Sequence, residues 1–393
     1  MPKPNKYDAQ HLRNLGLTER QIEKIYDTAV REAAAIGASI DETDPERPFS
    51  FSDYPQTKAR IDRLIKGLQK KVETVIADGS KLAWELSDAK NGALLDLIFG
   101  ESKNRLTDEQ KARYLNNSDK ALEAFLERKT NGLNLSDSVW NYSSQFKTEI
   151  EMGLDAGIRD GLSAAEMARD LKQYLQEPDR LYRRFRYGNL EDEKAEKEKA
   201  AKEGRKYTPP RKWKRRVFDE KTKKYKFEDV DINAYKPGRG VYRSSYKNAL
   251  RLARTENNMA YRTADHIRWQ QQDFVVGVEI RLSNNHTLNG KPFTDMCDVL
   301  QGAYPKDFKF TGWHPACRCF AVPVLKTVDE LLADEELIMN GEEPSSESVN
   351  GVRDVPDGFK QWISSNRDRI AKAEKAGTLP YFIKDNRDAV DSI

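Results

Sequence analysis

The chain has 393 residues, of which 38% are hydrophobic and 33% charged, so it is long enough for two or three domains with broad solvated surfaces. Its 67 basic and 64 acidic residues leave a formal net charge of +3, without the overall basicity of an obligate nucleic-acid binder. No apolar run approaches the eighteen or so residues of a membrane span, and the first ten residues have no hydrophobic signal core. We therefore expect a soluble protein of the cell interior, with no membrane partner and reduced thiols.

The first half of the sequence carries the spacing of amphipathic helices. Residues 18–36 open with Thr18 and have Gln21 three positions later, which is the pattern of a capped helix. Apolar residues recur at three- and four-residue steps over 61–76, and residues 163–175 begin with a serine cap. We expect residues 1–134 to form a mainly helical N-terminal region.

A charged segment at about 187–234 interrupts this pattern. Its Glu/Lys-rich part predicts a solvated helix or a disordered stretch, and its later part, with aromatic residues around a polar centre, predicts an exposed hairpin. Basic residues interleaved with aromatic ones can contact phosphates and stack on bases, while a purely solvated face is the competing interpretation. The candidate nucleic-acid-binding residues are Arg211, Lys212, Lys214, Arg215, Arg216, Lys223 and Lys224.

Regular structure resumes after this insertion. Residues 241–272 have the spacing of a long helix, with Glu256 within its apolar stripe. The alternation of Val276, Val278, Ile280 and Leu282 predicts a half-buried strand, and residues 319–325 predict a second strand in which Pro323 indicates a sheet edge. The expected fold class is α+β: a small domain over 135–326 with a short antiparallel sheet, then a C-terminal helix, linker and tail over 327–393.

All three cysteines and two of the four histidines fall within one short window. Zinc takes thiolate and imidazole ligands in tetrahedral geometry, commonly as two pairs from separated turns. The preferred ligand set is Cys297, His314, Cys317 and Cys319, and His286 is a fifth candidate that could replace His314 or a thiolate. The competing interpretation is that the cysteines are small buried residues and that the His-Pro pair fixes a turn.

The Cys-x-Cys spacing is tighter than in standard zinc fingers, but in a strand it would place both side chains on the same face. A metal there would be structural, because it would tie one strand of the sheet to the start of the other and its binding energy would become folding energy. A disulfide between Cys317 and Cys319 would be strained, and Arg318 alone is a weak basis for catalytic thiol chemistry.

Several stretches together resemble a known family. They are SVWNYSSQFKTEIEMGLDAGIRDGLSAAEMARDL, LARTENNMAYRTADHIRW, IRLSNNHTLNG and GWHPACRC, in this order. The chain thus resembles the Mu F-like minor head, or head morphogenesis, proteins of tailed phages and prophages of Bacteroides-like bacteria, over about 135–326. The matching positions are Arg254, Thr255, Glu256, His286, Gly290, His314, Pro315, Cys317, Arg318 and Cys319.

The resemblance implies a minor capsid component of the virion, located near the portal vertex and acting in head assembly, with a role in packaging or delivering the DNA as a further expectation. Its implied partners are the portal protein, other capsid components and packaged double-stranded DNA. Before incorporation, the protein would be in the host cytoplasm.

Two other functions compete with this one. An ADP-ribosyltransferase-like effector is suggested by Arg254 and Glu256, although the sequence has no complete set of nucleophile, base and orienting residue, and we expect no enzyme. An ion pair involving Arg254 and Glu256 is the structural alternative. The second competitor is a DNA-binding accessory module centred on the basic segment.

Overall fold

The computed structural model describes residues 5–40, 49–115, 119–130, 132–181, 190–207, 212–219, 221–231, 235–283, 287–288 and 291–393. Its helices are α1 (Lys6–Ala38), α2 (Pro55–Phe99), α3 (Asp108–Leu115), α4 (Asp119–Glu127), α5 (Leu135–Arg159), α6 (Ala164–Gln176), α7 (Leu190–Lys202), α8 (Ser245–Gln271), α9 (Met296–Leu300), α10 (Val328–Met339), α11 (Asp357–Ser365), α12 (Arg367–Lys375), α13 (Tyr381–Lys384) and α14 (Arg387–Asp391). Its strands are β1 (Lys212–Asp219), β2 (Lys224–Asp231), β3 (Val275–Arg281), β4 (Thr287–Leu288), β5 (Lys291–Pro292), β6 (Gly302–Tyr304) and β7 (Phe320–Leu325). This mainly helical α+β architecture confirms the predicted fold class.

The chain forms two compact units, each assembled from separate stretches of sequence. Unit 1 comprises 1–18, 76–132 and 251–393, and unit 2 comprises 19–75 and 133–250. The chain passes from one unit to the other within α1, α2 and α8, and near residue 132.

Unit 1 contains a three-stranded antiparallel sheet in the order β6-β3-β7. Pro323 lies on β7, an edge strand, as the sequence predicted, since proline has no amide hydrogen to donate to a neighbouring strand. The predicted alternation holds at Val278 and Ile280, which are buried, but fails at Val276, which is only half-buried. A register irregularity between Val275 and Gly277 explains the failure, because it shifts the side-chain phase of the strand.

The core of unit 1 is an aromatic cluster around the sheet. The Tyr304 and Phe308 rings lie 4.3 Å apart between centroids, and Trp313 meets Phe382 edge to face at 5.3 Å. Phe359 from α11 also packs edge to face on Tyr304. These rings anchor the loop between β6 and β7 against the C-terminal helices.

In unit 2, α5 and α6 pack closely at two glycines. A Cβ atom at Gly153 would lie 2.2 Å from Leu171 Cδ2, and one at Gly157 would lie 2.5 Å from Met167 Cγ. The two glycines are one helical turn apart, so they form a groove on α5 that receives the apolar side of α6. The serine cap predicted for α6 is present, since Ser163 and Glu166 form a capping box.

One predicted helix start is absent from the structure, whereas both predictions for the charged segment have a counterpart in it. The prediction of a helix start at Thr18 was wrong, because α1 begins at Lys6 and the buried Thr18 hydroxyl instead accepts a hydrogen bond from Asn257 Nδ2. The predicted hairpin is present as the antiparallel pair β1–β2, and the Glu/Lys stretch forms α7. Across the described ranges, no helix has both the length and the apolar character that crossing a bilayer requires.

Candidate metal centre

The first element of the site is α9, a single helical turn that carries Cys297. Asp295 caps it: its Oδ1 accepts a hydrogen bond from the Cys297 amide at 2.7 Å, and the Asp298 carboxylate accepts one from the Asp295 amide at 2.8 Å. This reciprocal capping box fixes the backbone of so short a helix. The Cys297 side chain is therefore held in position and buried.

The second element is the loop 311–319, which carries the other candidate ligands. The Cys317 amide donates to the His314 carbonyl at 3.0 Å and closes a turn. Ala316 within this turn has a φ of +59°, a left-handed conformation that costs a residue with a Cβ atom roughly 1–2 kcal/mol. The surrounding contacts must therefore offset this strain.

The Cys297, His314 and Cys317 side chains converge with ligand-like spacing. The Cys297 Sγ lies 3.2 Å from His314 Nε2 and 4.0 Å from Cys317 Sγ. A tetrahedral zinc ion with bonds of about 2.3 Å to sulfur and about 2.0 Å to nitrogen needs ligand separations of about 3.8 Å and about 3.6 Å. The observed sulfur–sulfur distance is slightly longer than its expected value, and the observed sulfur–nitrogen distance is slightly shorter than its own. The three ligand atoms all lie within 4.8 Å of one another, so this Cys-His-Cys group is able to hold a metal ion.

Cys319 falls outside that compact set, but its thiol is near enough to those of Cys297 and Cys317 to influence the pKa values of both. Cys317 is the focus of this thiol cluster: hydrogen bonds from Cys297 and then from Cys319 hold its pKa well below the usual thiol range. The same contacts raise the pKa of Cys297, which acts as the proton donor. A cluster that already favours one thiolate is chemically suited to a cation, which would take the place of the shared protons.

His314 is oriented for coordination through Nε2. Its Nδ1 lies 3.0 Å from the Pro315 carbonyl oxygen, which can only accept, so Nδ1 carries the proton and the Nε2 lone pair is directed at the Cys297 thiol. Asp295 Oδ2 lies 3.7 Å from the same Nε2, so a carboxylate adds negative charge beside the site.

Three polar side chains on one face of α8 hold the loop. The sequence indicated only Thr255 among them, and it did not predict that they bind the loop. Thr255 Oγ1 accepts from the Ala316 amide at 2.9 Å, at the strained position. Asn258 Nδ2 donates to the Cys317 carbonyl at 3.3 Å. Arg262, which is buried, donates to the carbonyls of Thr311, Cys317 and Cys319. Thr255, Asn258 and Arg262 follow one another at steps of three and four along α8, and this spacing could have predicted a helix face that binds a loop.

Arg262 also sets the electrostatics of the centre. Its positive charge helps to lower the pKa of Cys317, and its guanidinium lies 5.2 Å from the Phe310 ring centroid. Three thiolates and one neutral imidazole around a divalent ion leave one net negative charge, which a buried guanidinium would balance. Gly312 is required beside it: with a φ of +126°, a Cβ atom there would lie 2.6 Å from Arg262 Nη1.

We call Thr255, Asn258 and Arg262, which hold the loop, the α8 clamp. A buried histidine, His11, orients the Asn258 side chain of this clamp. His11 Nε2 lies 2.9 Å from Asn258 Oδ1, and its ring stacks on Tyr261 at 4.2 Å between centroids. Burial lowers the pKa of His11 to about 4, so the ring is neutral and its Nε2 proton donates to Asn258. This interaction fixes the Asn258 amide with its nitrogen towards the loop.

The remaining candidates lie elsewhere or beyond the described residues. His286 and Gly290, two of the residues matched by the resemblance, are outside the described residues. Glu256 makes an ion pair at 2.8 Å with Arg128, which follows α4, and Arg254 is half-buried on α8. In the ADP-ribosyltransferase hypothesis, the Glu256 carboxylate would therefore have to act while it is paired with Arg128.

The basic segment is a hairpin in which several basic residues have an acidic residue as their register partner. Its backbone register places Lys212 opposite Asp231, Lys214 opposite Asp229 and Arg215 opposite Glu228. Lys223 and Lys224 are exposed in and next to its turn, whereas Arg211 lies outside the described residues and Arg216 is opposite Phe227. The backbone register therefore leaves nucleic-acid binding by this segment a prediction.

Comparison with family models, curated proteins and solved structures finds no match to this chain.

Proposed function

We propose that the chain is a structural component of a tailed-phage head and that a zinc ion staples the small sheet of unit 1 to its helical support. The observation that carries the zinc assignment is the convergence of Cys297, His314 and Cys317, with the Cys319 thiol close enough to influence the pKa of Cys317. The ligands would be three thiolates and one imidazole, a set typical of structural zinc. The ion would supply folding energy and no reaction step.

The supporting contacts favour a structural role over catalysis. All three thiols are buried, and the loop that carries two of them is tied to α8 by Thr255 and Arg262. A catalytic zinc keeps an open coordination position for water or substrate, whereas four protein ligands leave none. The proposal of a closed site is thus consistent with three buried thiols and a half-buried imidazole.

The phage-head assignment rests on the order of sequence motifs, ending in HPACRC. The proposed partners are the portal protein and neighbouring capsid components, and the proposed location is the head near the portal vertex. A long helical scaffold and a rigid loop held by a metal ion are compatible with a protein that docks on capsid components and does not catalyse a reaction.

Metal content and virion content test the two halves of the proposal separately. Elemental analysis of the chain purified without added metal should give about one zinc per chain, falling to near zero in Cys297→Ala. Absence of zinc from a folded sample would contradict the metal assignment. Mass spectrometry of purified tailed particles from the host should detect the chain in fewer copies than the major capsid protein, and particles without it would contradict the virion assignment.

A further inference from the structure

Unit 1 contains a cavity of about 770 Å³ next to the metal centre, a volume within the range of ligand-binding pockets. One wall comes from the end of α4 and from Met259, Thr263 and Ile267 on α8, and another from α12 and the segment around α13. His314 and Pro315 close the side towards the metal centre. The cavity is separate from the thiols, none of which lines it.

The floor of the cavity is apolar. Phe125, Ile267, Trp313 and Leu379 line it, together with Ile370 from α12. A half-open apolar hollow of this size favours an occupant with one or more apolar side chains, because their transfer from water is favourable by roughly 25 cal/mol per Å².

The charged groups on the lining are unbalanced. Lys129, Arg369 and Lys384 are exposed and make no ion pair with any described residue, although Arg369 donates to the Asn366 side chain at 3.1 Å. The remaining cations are already engaged: Arg128 pairs with Glu256, and Lys309 pairs with Asp385 at 3.4 Å. Asp385 is the one carboxylate among the described residues of the lining, so the rim has surplus positive charge.

The number of free charges on the lining distinguishes between acidic occupants. Lys129, Arg369 and Lys384 are three separate cations, which match the several carboxylates of an acidic peptide better than the single carboxylate of a fatty acid. The Thr311 hydroxyl and the Trp313 indole nitrogen are satisfied by no described residue, but they have almost no accessible surface and therefore do not face the cavity.

We propose that this cavity binds a short acidic peptide segment of a partner protein, with its apolar side chains on the floor and its carboxylates against Lys129, Arg369 and Lys384. The surplus cations select the charge of the peptide, and the hollow selects its apolar residues. This inference goes beyond the zinc centre and the head assignment, and it does not depend on either. Such a segment would dock as apolar anchors surrounded by charge-assisted contacts.

The test is a selection of displayed random dodecapeptides on the immobilised full chain. The expected result is enrichment of peptides that combine Asp or Glu with Leu, Ile, Phe or Trp. The best peptide, labelled with fluorescein, should bind the chain saturably by fluorescence polarisation. The double variant Lys129→Glu/Lys384→Glu should weaken this binding about tenfold or more, because two attractive charges become repulsive ones.

Matched variants separate the cavity from general electrostatics. Lys120→Glu/Lys375→Glu makes the same charge change at positions outside the lining and should leave the peptide affinity unchanged. Ala373→Trp should block binding by filling the hollow, and circular dichroism checks its folding; the exposed lysine variants keep the test valid if this one fails to fold.

Three results would overturn the proposal. One is a selection that enriches no acidic, apolar sequence, and another is a selected peptide that binds the Lys129→Glu/Lys384→Glu variant as tightly as the parent chain. The third is saturable binding of decanoate with no binding of any selected peptide, which would assign the cavity to an apolar carboxylate.

Discussion

The two units reach a stable structure by different means. Unit 2 depends on the close packing of regular helices, as at Gly153 and Gly157, and on a buried carboxyl group, Glu149. Unit 1 places an irregular loop beside a small sheet and holds it with side chains from α8 and with a thiol–imidazole cluster. The difference teaches that an irregular segment needs specific polar partners for its backbone, whereas regular helices supply their own backbone hydrogen bonds.

The largest loss of stability from a single substitution is expected from removing a central ligand. Cys317→Ala should abolish zinc binding and lower the free energy of unfolding of unit 1 by about 4 kcal/mol, because loss of a metal site is among the largest single-residue effects. Hydrogen exchange resolved by segment should show the loss in the 297–325 region and leave α5 and α6 protected. A chelator should destabilise the parent chain but not the variant, and equal sensitivity of the two would contradict the prediction.

Removing Arg262, the main donor of the α8 clamp, should have the next largest effect. Arg262→Met removes a buried donor from three backbone carbonyls, of which the Cys317 carbonyl keeps a second donor, Asn258. We therefore expect a loss of about 3 kcal/mol and a zinc affinity weakened about tenfold or more. Competition with a chromophoric chelator measures the affinity. Arg262→Lys retains the charge and should recover part of both losses; a zinc affinity unaffected by Arg262→Met would refute the clamp.

Unit 2 should respond to pH through Glu149. Burial raises the pKa of this carboxyl group to about 8, despite hydrogen bonds from Ser245 and Gln145 that favour its charged form. Because the folded state holds the proton more tightly than the unfolded state, stability should fall as pH rises from about 4.5 to about 8, by at most about 1.4 kcal/mol per pH unit. The charge also lies near Tyr26, whose pKa is raised by burial and then by Glu149.

Glu149→Gln removes this titration while keeping the shape of the side chain. Its pH profile of chemical denaturation should lack the decline attributed to Glu149, so it should exceed the parent in stability most clearly above pH 8. An identical decline in both proteins would show that another group causes it.

The smallest effect is expected at the helix contact. Gly153→Ala introduces a Cβ atom 2.2 Å from Leu171 Cδ2 and should cost about 1–2 kcal/mol, measured by urea denaturation. Gly67→Ala is the matched control in the same unit, because nothing lies within 4 Å of its added Cβ atom. That change should stabilise by roughly 0.5–1 kcal/mol through helix propensity, and a stabilising Gly153→Ala would contradict close packing of α5 on α6.

Sequence reasoning worked best where a local pattern determines the structure. The edge position of β7 followed from Pro323, and the metal candidates followed from the clustering of rare residue types. It failed where the deciding partner is distant in sequence: Arg262 contacts the loop 49 to 57 residues later, and Thr18 contacts Asn257. The irregularity between Val275 and Gly277 was also hidden, because a one-residue shift leaves the residue types unchanged.

The most direct test of the zinc centre is X-ray absorption at the zinc edge of the purified chain. Coordination by Cys297, His314, Cys317 and Cys319 predicts three sulfur neighbours at about 2.3 Å and one nitrogen at about 2.0 Å. Cys319→Ala should then reduce the sulfur count to two. A spectrum with only oxygen and nitrogen neighbours, or a folded chain that binds no zinc, would contradict the account.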